Sequence, residues 1–178
     1  MIQQHTPSFL EIIKMDLLRI SSVSGFRMWI KILHPRFFPV LFLRISFLFY
    51  RYRLLRPLSF IFSLANVILF GLEATPRCKI GPGLLIPHTS GTVIGAEELG
   101  CNVTIFQGVT LGAKFADLNF SSGSRPVLED DVVIGAGAKI LGAIRVGKNS
   151  IIASNTLLLE SVPENSFAIG VPAIVKER

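Results

Sequence analysis

Few side chains in this sequence have the chemistry of a reactive centre, and most can be set aside by type and number. The histidines are His5, His34 and His88, and the cysteines are Cys78 and Cys101. Two thiols cannot build a disulfide framework or a four-ligand zinc site, so a reducing compartment is the default. Only one histidine, His88, lies in the patterned half of the chain, and a three-histidine metal centre is therefore not expected. His88 opens the run His88-Thr89-Ser90-Gly91. An imidazole, with an ordinary pKa of about 6.5, can take the proton of a hydroxyl as that hydroxyl attacks an activated carbonyl. A histidine met singly is more often a satisfied structural residue, so the weight falls on the elements that would position it.

Those elements change character near residue 73. Most of the phenylalanines, the single Trp29, both tyrosines and most of the arginines precede it; 13 of the 15 glycines follow it. Residues 1–72 read as an apolar helical region, with helices over Phe9–Ile20, Gly25–Leu33, Pro39–Leu55 and Pro57–Phe70. Pro35, Pro39 and Pro57 stand where helices can begin.

Residues 73–178 read as a repeat of six. Aliphatic side chains recur at Leu128, Ile134, Ile140, Val146, Ile152 and Leu158, and the residue after them is often small, as at Gly135, Gly147 and Ala153. The same period runs through Ile80 and Ile86 and through Leu99, Ile105 and Leu111, with a slip between Thr92 and Leu99. A period of six fits neither an α-helix nor a plain alternating strand. It fits a triangular β-solenoid in which each hexad is one short strand and a corner, with about four to five coils over residues 79–159. The segment 112–126, rich in serine and glycine, breaks the period and is expected to leave the solenoid as a loop.

With the repeat and the His88 run together, residues 73–175 resemble the hexapeptide-repeat acyltransferases, whose fold is a left-handed parallel β-helix. More narrowly, they resemble the serine O-acetyltransferase group and, within it, its polysaccharide- and sugar-modifying O-acetyltransferase relatives most of all. The stretches that carry it are Ile80-Gly81-Pro82-Gly83, His88-Thr89-Ser90-Gly91, Val103–Gly112, Ile134–Gly142 and Gly170-Val171-Pro172-Ala173. The expected fold is thus mainly β, a left-handed parallel β-helix behind an apolar α-helical extension. The resemblance implies transfer of an acetyl group from acetyl-CoA to a hydroxyl. It also implies homotrimers or dimers of trimers, with each active site between adjacent solenoids. His88 falls at the general-base position. Glu73, 15 residues upstream, falls where the serine enzymes have an aspartate, and is expected to orient the imidazole. Backbone at Gly112, Ala113, Ala136 and Ser154 is expected to line the coenzyme groove, with Lys139 and Lys148 as candidates for its phosphates.

Two positions depart from the serine enzymes. Pro87 stands where they carry an acidic residue before the histidine, and Arg125, before Pro126, where they carry a second histidine. Arg125 is a candidate for holding a carboxylate or phosphate, or for polarising the thioester oxygen. On these two positions and the apolar helical region, the expected acceptor is a sugar or polysaccharide hydroxyl, probed against two alternatives: a divergent serine O-acetyltransferase of cysteine synthesis, and a catalytically inactive solenoid scaffold.

The net charge of +6 with a mean hydropathy of +0.56 favours a membrane surface or an anionic ligand over DNA, and no nucleic-acid-binding signature is present. Glu11, Lys14 and Asp16 interrupt the first apolar stretch, so it is not a signal peptide. The nearest thing to a membrane span, the uncharged run 57–72, is shorter than the roughly 18–20 residues that span a bilayer. The expected location is the cytoplasm, with peripheral contact at the inner membrane face.

Overall fold

The structure, a computed structural model, describes residues 7–20, 30, 32, 34–117, 119–121 and 123–177. Among the described residues, three α-helices precede fourteen short strands. Helix α1 spans Phe9–Ile20; Ser8 and Glu11 close a capping box at its start, with the Ser8 N–H donating to Glu11 Oε2 at 2.7 Å. The expected helix over Gly25–Leu33 falls largely outside the described residues. Helix α2 runs Phe38–Tyr50, with Pro39 in its first turn. It stops five residues short of the expected Leu55, because Tyr52 is extended and Arg53–Leu55 form a 3₁₀ turn that leads directly into α3, Arg56–Phe70. Gly71, at φ +63°, ends α3 in the left-handed conformation that a side chain would oppose.

From Leu72 onward the chain coils through three parallel sheets in rotation, with the isolated bridges Leu85 to Thr104 and Val162 to Val146 standing in for a strand once in the first coil and once in the last. The first sheet holds β1 (Leu72–Ala74), β3 (Thr92–Ile94), β6 (Thr110–Gly112), β9 (Lys139–Leu141) and β12 (Leu157–Leu158). The second holds β2 (Lys79–Ile80), β4 (Glu98–Leu99), β7 (Val127–Leu128) and β10 (Arg145–Val146). The third holds β5 (Thr104–Ile105), β8 (Val133–Ile134), β11 (Ile151–Ile152) and β13 (Ser166–Ile169), closed by the antiparallel β14 (Ile174–Glu177). Each inward aliphatic stacks on its equivalent one coil away: Ile94 on Leu111 on Ile140 on Leu158, and Ile105 on Ile134 on Ile152. All are buried. The small residue after the aliphatic follows from the same stacking: a Cβ on Gly135 would lie 2.5 Å from the Ser154 backbone nitrogen.

The repeat is irregular at several corners, and the structure moves the first irregularity earlier than the sequence suggests. The inward residues Ile86 and Ile94 are eight apart, and Ile94 and Leu99 five. The corner between Leu85 and β3 therefore holds two residues more than its equivalents, and His88 sits on it. Another irregularity is the loop between β6 and β7.

The helices are fastened to the first coil by a buried ion pair. Arg44 of α2 donates from Nε and Nη2 to Asp16 of α1 at 2.8 and 3.1 Å, and from Nη1 and Nη2 to the carbonyls of Ile80 and Gly81. Asp16 Oδ1 also accepts the backbone N–H groups of Gly83 and Leu84 at 2.8 and 2.9 Å. Every charge and most backbone groups at this buried junction are thereby paired, which is the condition for a buried ion pair to be tolerated.

Candidate functional site

His88 is exposed on its enlarged corner, and the corner is held from below and behind. The Thr89 hydroxyl donates to the Phe70 carbonyl at 2.7 Å, satisfying one of the last carbonyls of α3. The Ser90 carbonyl accepts the Gly108 N–H, which ties the corner to the next coil. His88 lines a depression of about 460 Å³ together with Pro35, Arg36, Phe70, Ser90 and Gln107. Arg36 and Gln107 are site-lining residues that sequence reasoning missed. Gln107 lies within the Val103–Gly112 stretch, and its buried Oε1 has no hydrogen-bond partner. Arg36 arrives from the helical region, and nothing in its local sequence signals proximity to His88.

Glu73 is exposed on β1, and its strand neighbour Val93 follows His88 by five residues. No hydrogen bond joins Glu73 to His88. Instead Glu73 lines a second depression, of about 350 Å³, with Thr75, Gly95, Gly112, Ala113 and Arg125. The chain therefore brings Glu73, Gly112, Ala113 and Arg125 together and leaves His88 in a neighbouring depression. Ala136 and Ser154 lie apart from both, stacked on the same edge as His88, where the Asn155 N–H donates to the Ala136 carbonyl.

Gly112 is the most informative of the small residues. A Cβ built there meets no atom within 4 Å, and its backbone is not left-handed. Nothing in the chain's own packing requires glycine at this position. A molecule approaching the backbone from outside would.

The cationic candidates are committed within the chain. Arg125 makes four hydrogen bonds: Nε and Nη2 to the Asp117 carboxylate at 3.3 and 3.1 Å, Nη2 to the Asp117 carbonyl, and Nη1 to the Gly95 carbonyl at 2.8 Å. Its guanidinium also lies 4.2 Å from the Phe120 ring centre. It fastens the loop to the second coil. The Asp117 carboxyl is held below the ordinary carboxylate range, first by the Ser121 N–H, with Ser121, Arg125 and Ser124 side chains adding to it. The Lys139 ammonium donates to the Gly108 carbonyl. Lys148 lies on the second sheet's face among Glu97, Glu98, Glu129 and Asp130, a poor setting for a phosphate.

Neither cysteine is a nucleophile in waiting. Burial, with Glu98 nearby, pushes the Cys78 thiol up to about 12, and burial with Asp130 raises Cys101. Among the described residues no cluster of three or more His, Cys, Asp or Glu side chains is placed to hold a metal ion.

A coil of hexads with a histidine on an enlarged corner defines the class: the chain belongs to the hexapeptide-repeat transferases. The pattern of the bacterial transferase hexapeptide (six repeats) family matches residues 125–159. More particular relatives are serine acetyltransferases. That of Helicobacter pylori (strain J99) is 46% identical over 111 residues, 61% of this chain and 63% of its own length. That of Bacillus pumilus is 41% identical over 134 residues, 74% of this chain and 59% of its own. A serine acetyltransferase solved in complex with CoA superimposes with a TM-score of 0.80 at 30% identity, over 97% of this chain and 72% of that one. The chain spans about three fifths of the length of these curated relatives.

These relatives overturn the expectation of a sugar or polysaccharide acceptor. That expectation rested on Pro87, Arg125 and the apolar helical region, and the structure weakens the Arg125 part of it. The Arg125 charge is turned into the loop and neutralised by Asp117 at 3.1 Å, so it does not confront an acceptor.

Proposed function

We propose that this chain is an acetyl-CoA-dependent serine O-acetyltransferase. The observation that carries the reading is the 41% identity to an enzyme of that name over 74% of the chain, a span that includes more than the repeat alone. The His88 corner and the open backbone at Gly112 support it chemically.

In this reading the serine hydroxyl attacks the acetyl thioester while His88 takes its proton. The tetrahedral intermediate expels the coenzyme thiolate, and the imidazolium returns the proton to sulfur. Atoms and charge balance without a metal or redox partner. Gly112 and Ala113 let the pantetheine arm lie against the first sheet's edge, with Ala136 and Ser154 along the same solenoid. His88 and Glu73 occupy separate depressions of one chain, and a left-handed solenoid trimer, or a pair of trimers, completes the site in the groove between neighbours. Arg36, exposed in the His88 depression, supplies positive charge for the acceptor carboxylate.

Thiol release from acetyl-CoA tests the reading directly. L-serine should stimulate release far above the rate in water, and simple sugars should not. Arg36→Gln should raise KM for serine with kcat little changed. Absence of serine-stimulated release by folded, full-length protein would overturn the assignment.

A further inference from the structure

The longest helix among the described residues is built inside out. The 3₁₀ turn and α3 run without interruption from Arg53 to Phe70, 18 residues long and apolar enough by length and composition to cross a membrane. Beyond its arginine-bearing first turn, its polar side chains Ser59 and Asn66 face the protein. Ser59 and Asn66 are buried: the Ser59 and Ser46 hydroxyls meet at 3.1 Å, and Asn66 Nδ2 donates to the Pro39 carbonyl at 3.0 Å. Its Phe62 and Phe70 pack against Phe42 of α2, but most of its other large apolar side chains face away. Phe60 is 67% exposed and Ile68 70%, with Ile61, Leu64 and Leu69 exposed alongside, and Leu54 on the preceding turn 94% exposed. A surface helix in water does the reverse, burying its apolar stripe and exposing its polar one. Small and polar residues between helices, with apolar residues outside, are what a helix adopts when its outer solvent is hydrocarbon.

Charge selects the occupant. Between Asp16 and Glu73 the sequence has eight Lys and Arg residues and no Asp or Glu. Arg51, Arg53 and Arg56 are exposed where α2 hands over to α3, and Arg56 lies 5.1 Å from the Tyr50 ring centre. A second copy packed on this face through its own α2–α3 segment would bring the same cations against them, with no carboxylate in the segment to meet either set. An anionic bilayer offers opposite charge at its surface and an apolar interior beneath it. We propose that the outer face of α3 docks on an anionic lipid bilayer, its arginine-rich end at the headgroups and Phe60, Ile61, Leu64 and Ile68 in the acyl boundary. The helix lies on the membrane and does not cross it, because its inner face is held by α2 and the first strand. The proposal stands apart from the serine acetyltransferase reading; neither requires the other.

Flotation of the full-length chain with vesicles of phosphatidylcholine, with and without phosphatidylglycerol, tests it. The expected result is tight binding to the anionic vesicles and weak binding to the neutral ones. Combined Arg51→Gln, Arg53→Gln and Arg56→Gln should weaken anionic binding on the order of 100-fold. Combined Phe60→Ser and Ile68→Ser should abolish the fraction that resists high salt. These positions are exposed, so circular dichroism and melting of the variants should match the parent; should the serine variant not fold, the arginine series decides. A parent chain that stays in the aqueous phase with both vesicle types overturns the proposal. So does a parent that ignores vesicles while the serine variant sediments as a smaller assembly, which would assign the face to a second copy.

Discussion

The helical region and the solenoid sort their side chains in opposite senses. Along the coil, Ile134, Ile140 and Ile152 point inward with no exposure, while the small and charged positions face out. Along α3, Ser59 and Asn66 point inward and Phe60 and Ile68 point out. One chain thus follows two solvent rules. The coil is organised by the expulsion of aliphatic groups from water. The helix is held by specific polar contacts, Ser46 with Ser59 and Asn66 with the Pro39 carbonyl, and by Phe62 and Phe70 against Phe42, and leaves most of its remaining apolar surface exposed. Burial of apolar area therefore accounts for the fold of one region and the partner of the other.

The comparison is broken most severely by exchanging the same charge at the two kinds of isoleucine. Ile140→Asp buries an unpaired carboxylate in the stack and should cost several kcal/mol, enough that the coil no longer melts cooperatively. Ile68→Asp, on the exposed face of α3, should shift stability by no more than about 0.5 kcal/mol in membrane-free buffer. A coil that accepts Ile140→Asp would mean that the observed register is wrong.

Next in size is a contrast within the solenoid, between its regular corners and the enlarged corner of His88. On the serine acetyltransferase reading, His88→Ala should lower kcat by about 10²–10⁴-fold with no change in melting, and Glu73→Gln should lower it less. Turnover unchanged in His88→Ala would remove the histidine from the chemistry.

A smaller contrast is available between two glycines. Gly135→Ala drives a methyl group onto the Ser154 backbone and should destabilise by about 1–3 kcal/mol. Gly112→Ala meets only open space and should leave melting unchanged while raising KM for acetyl-CoA. The smallest effect is on the loop. Because the Asp117 carboxyl is held below its ordinary value, its contribution to loop order is complete above the unfolded value of about 3.9 and fades only as pH falls through the lowered one. Amide exchange at Ser121 should stay protected at pH 5 and open under stronger acid.

Much of this was legible in the chain, and the exceptions have identifiable causes. The period of six announces the coil because each hexad repeats the same inward demand. His88 stands out through its neighbours Thr89-Ser90-Gly91. The two extra residues on its corner are harder to see, since the shortening between Ile94 and Leu99 partly restores the register and displaces the apparent slip. The commitment of Arg125 depends on Asp117, eight residues back, and on the Gly95 carbonyl, thirty back, and no local pattern encodes either. The polar stripe Ser59, Ser63 and Asn66 was readable at helical spacing. Its direction was not, because it depends on what α2 offers it. Arg36 reaches the His88 depression only through the packing of the helices on the first coil.

The Asp16–Arg44 pair makes the compositional border at residue 73 a poor place to cut. A fragment beginning there would keep every hexad yet lose the carboxylate that caps the Gly83 and Leu84 amides and the guanidinium that caps the Ile80 and Gly81 carbonyls. Four backbone groups would open at once at the end of the stack that carries His88. Such a fragment should fray from its first coil, and amide exchange should run fastest there and slow toward β11. In engineering terms the N-terminal helices act as the end plate of the solenoid, and shortened versions of the protein need a replacement plate, not merely a new start codon.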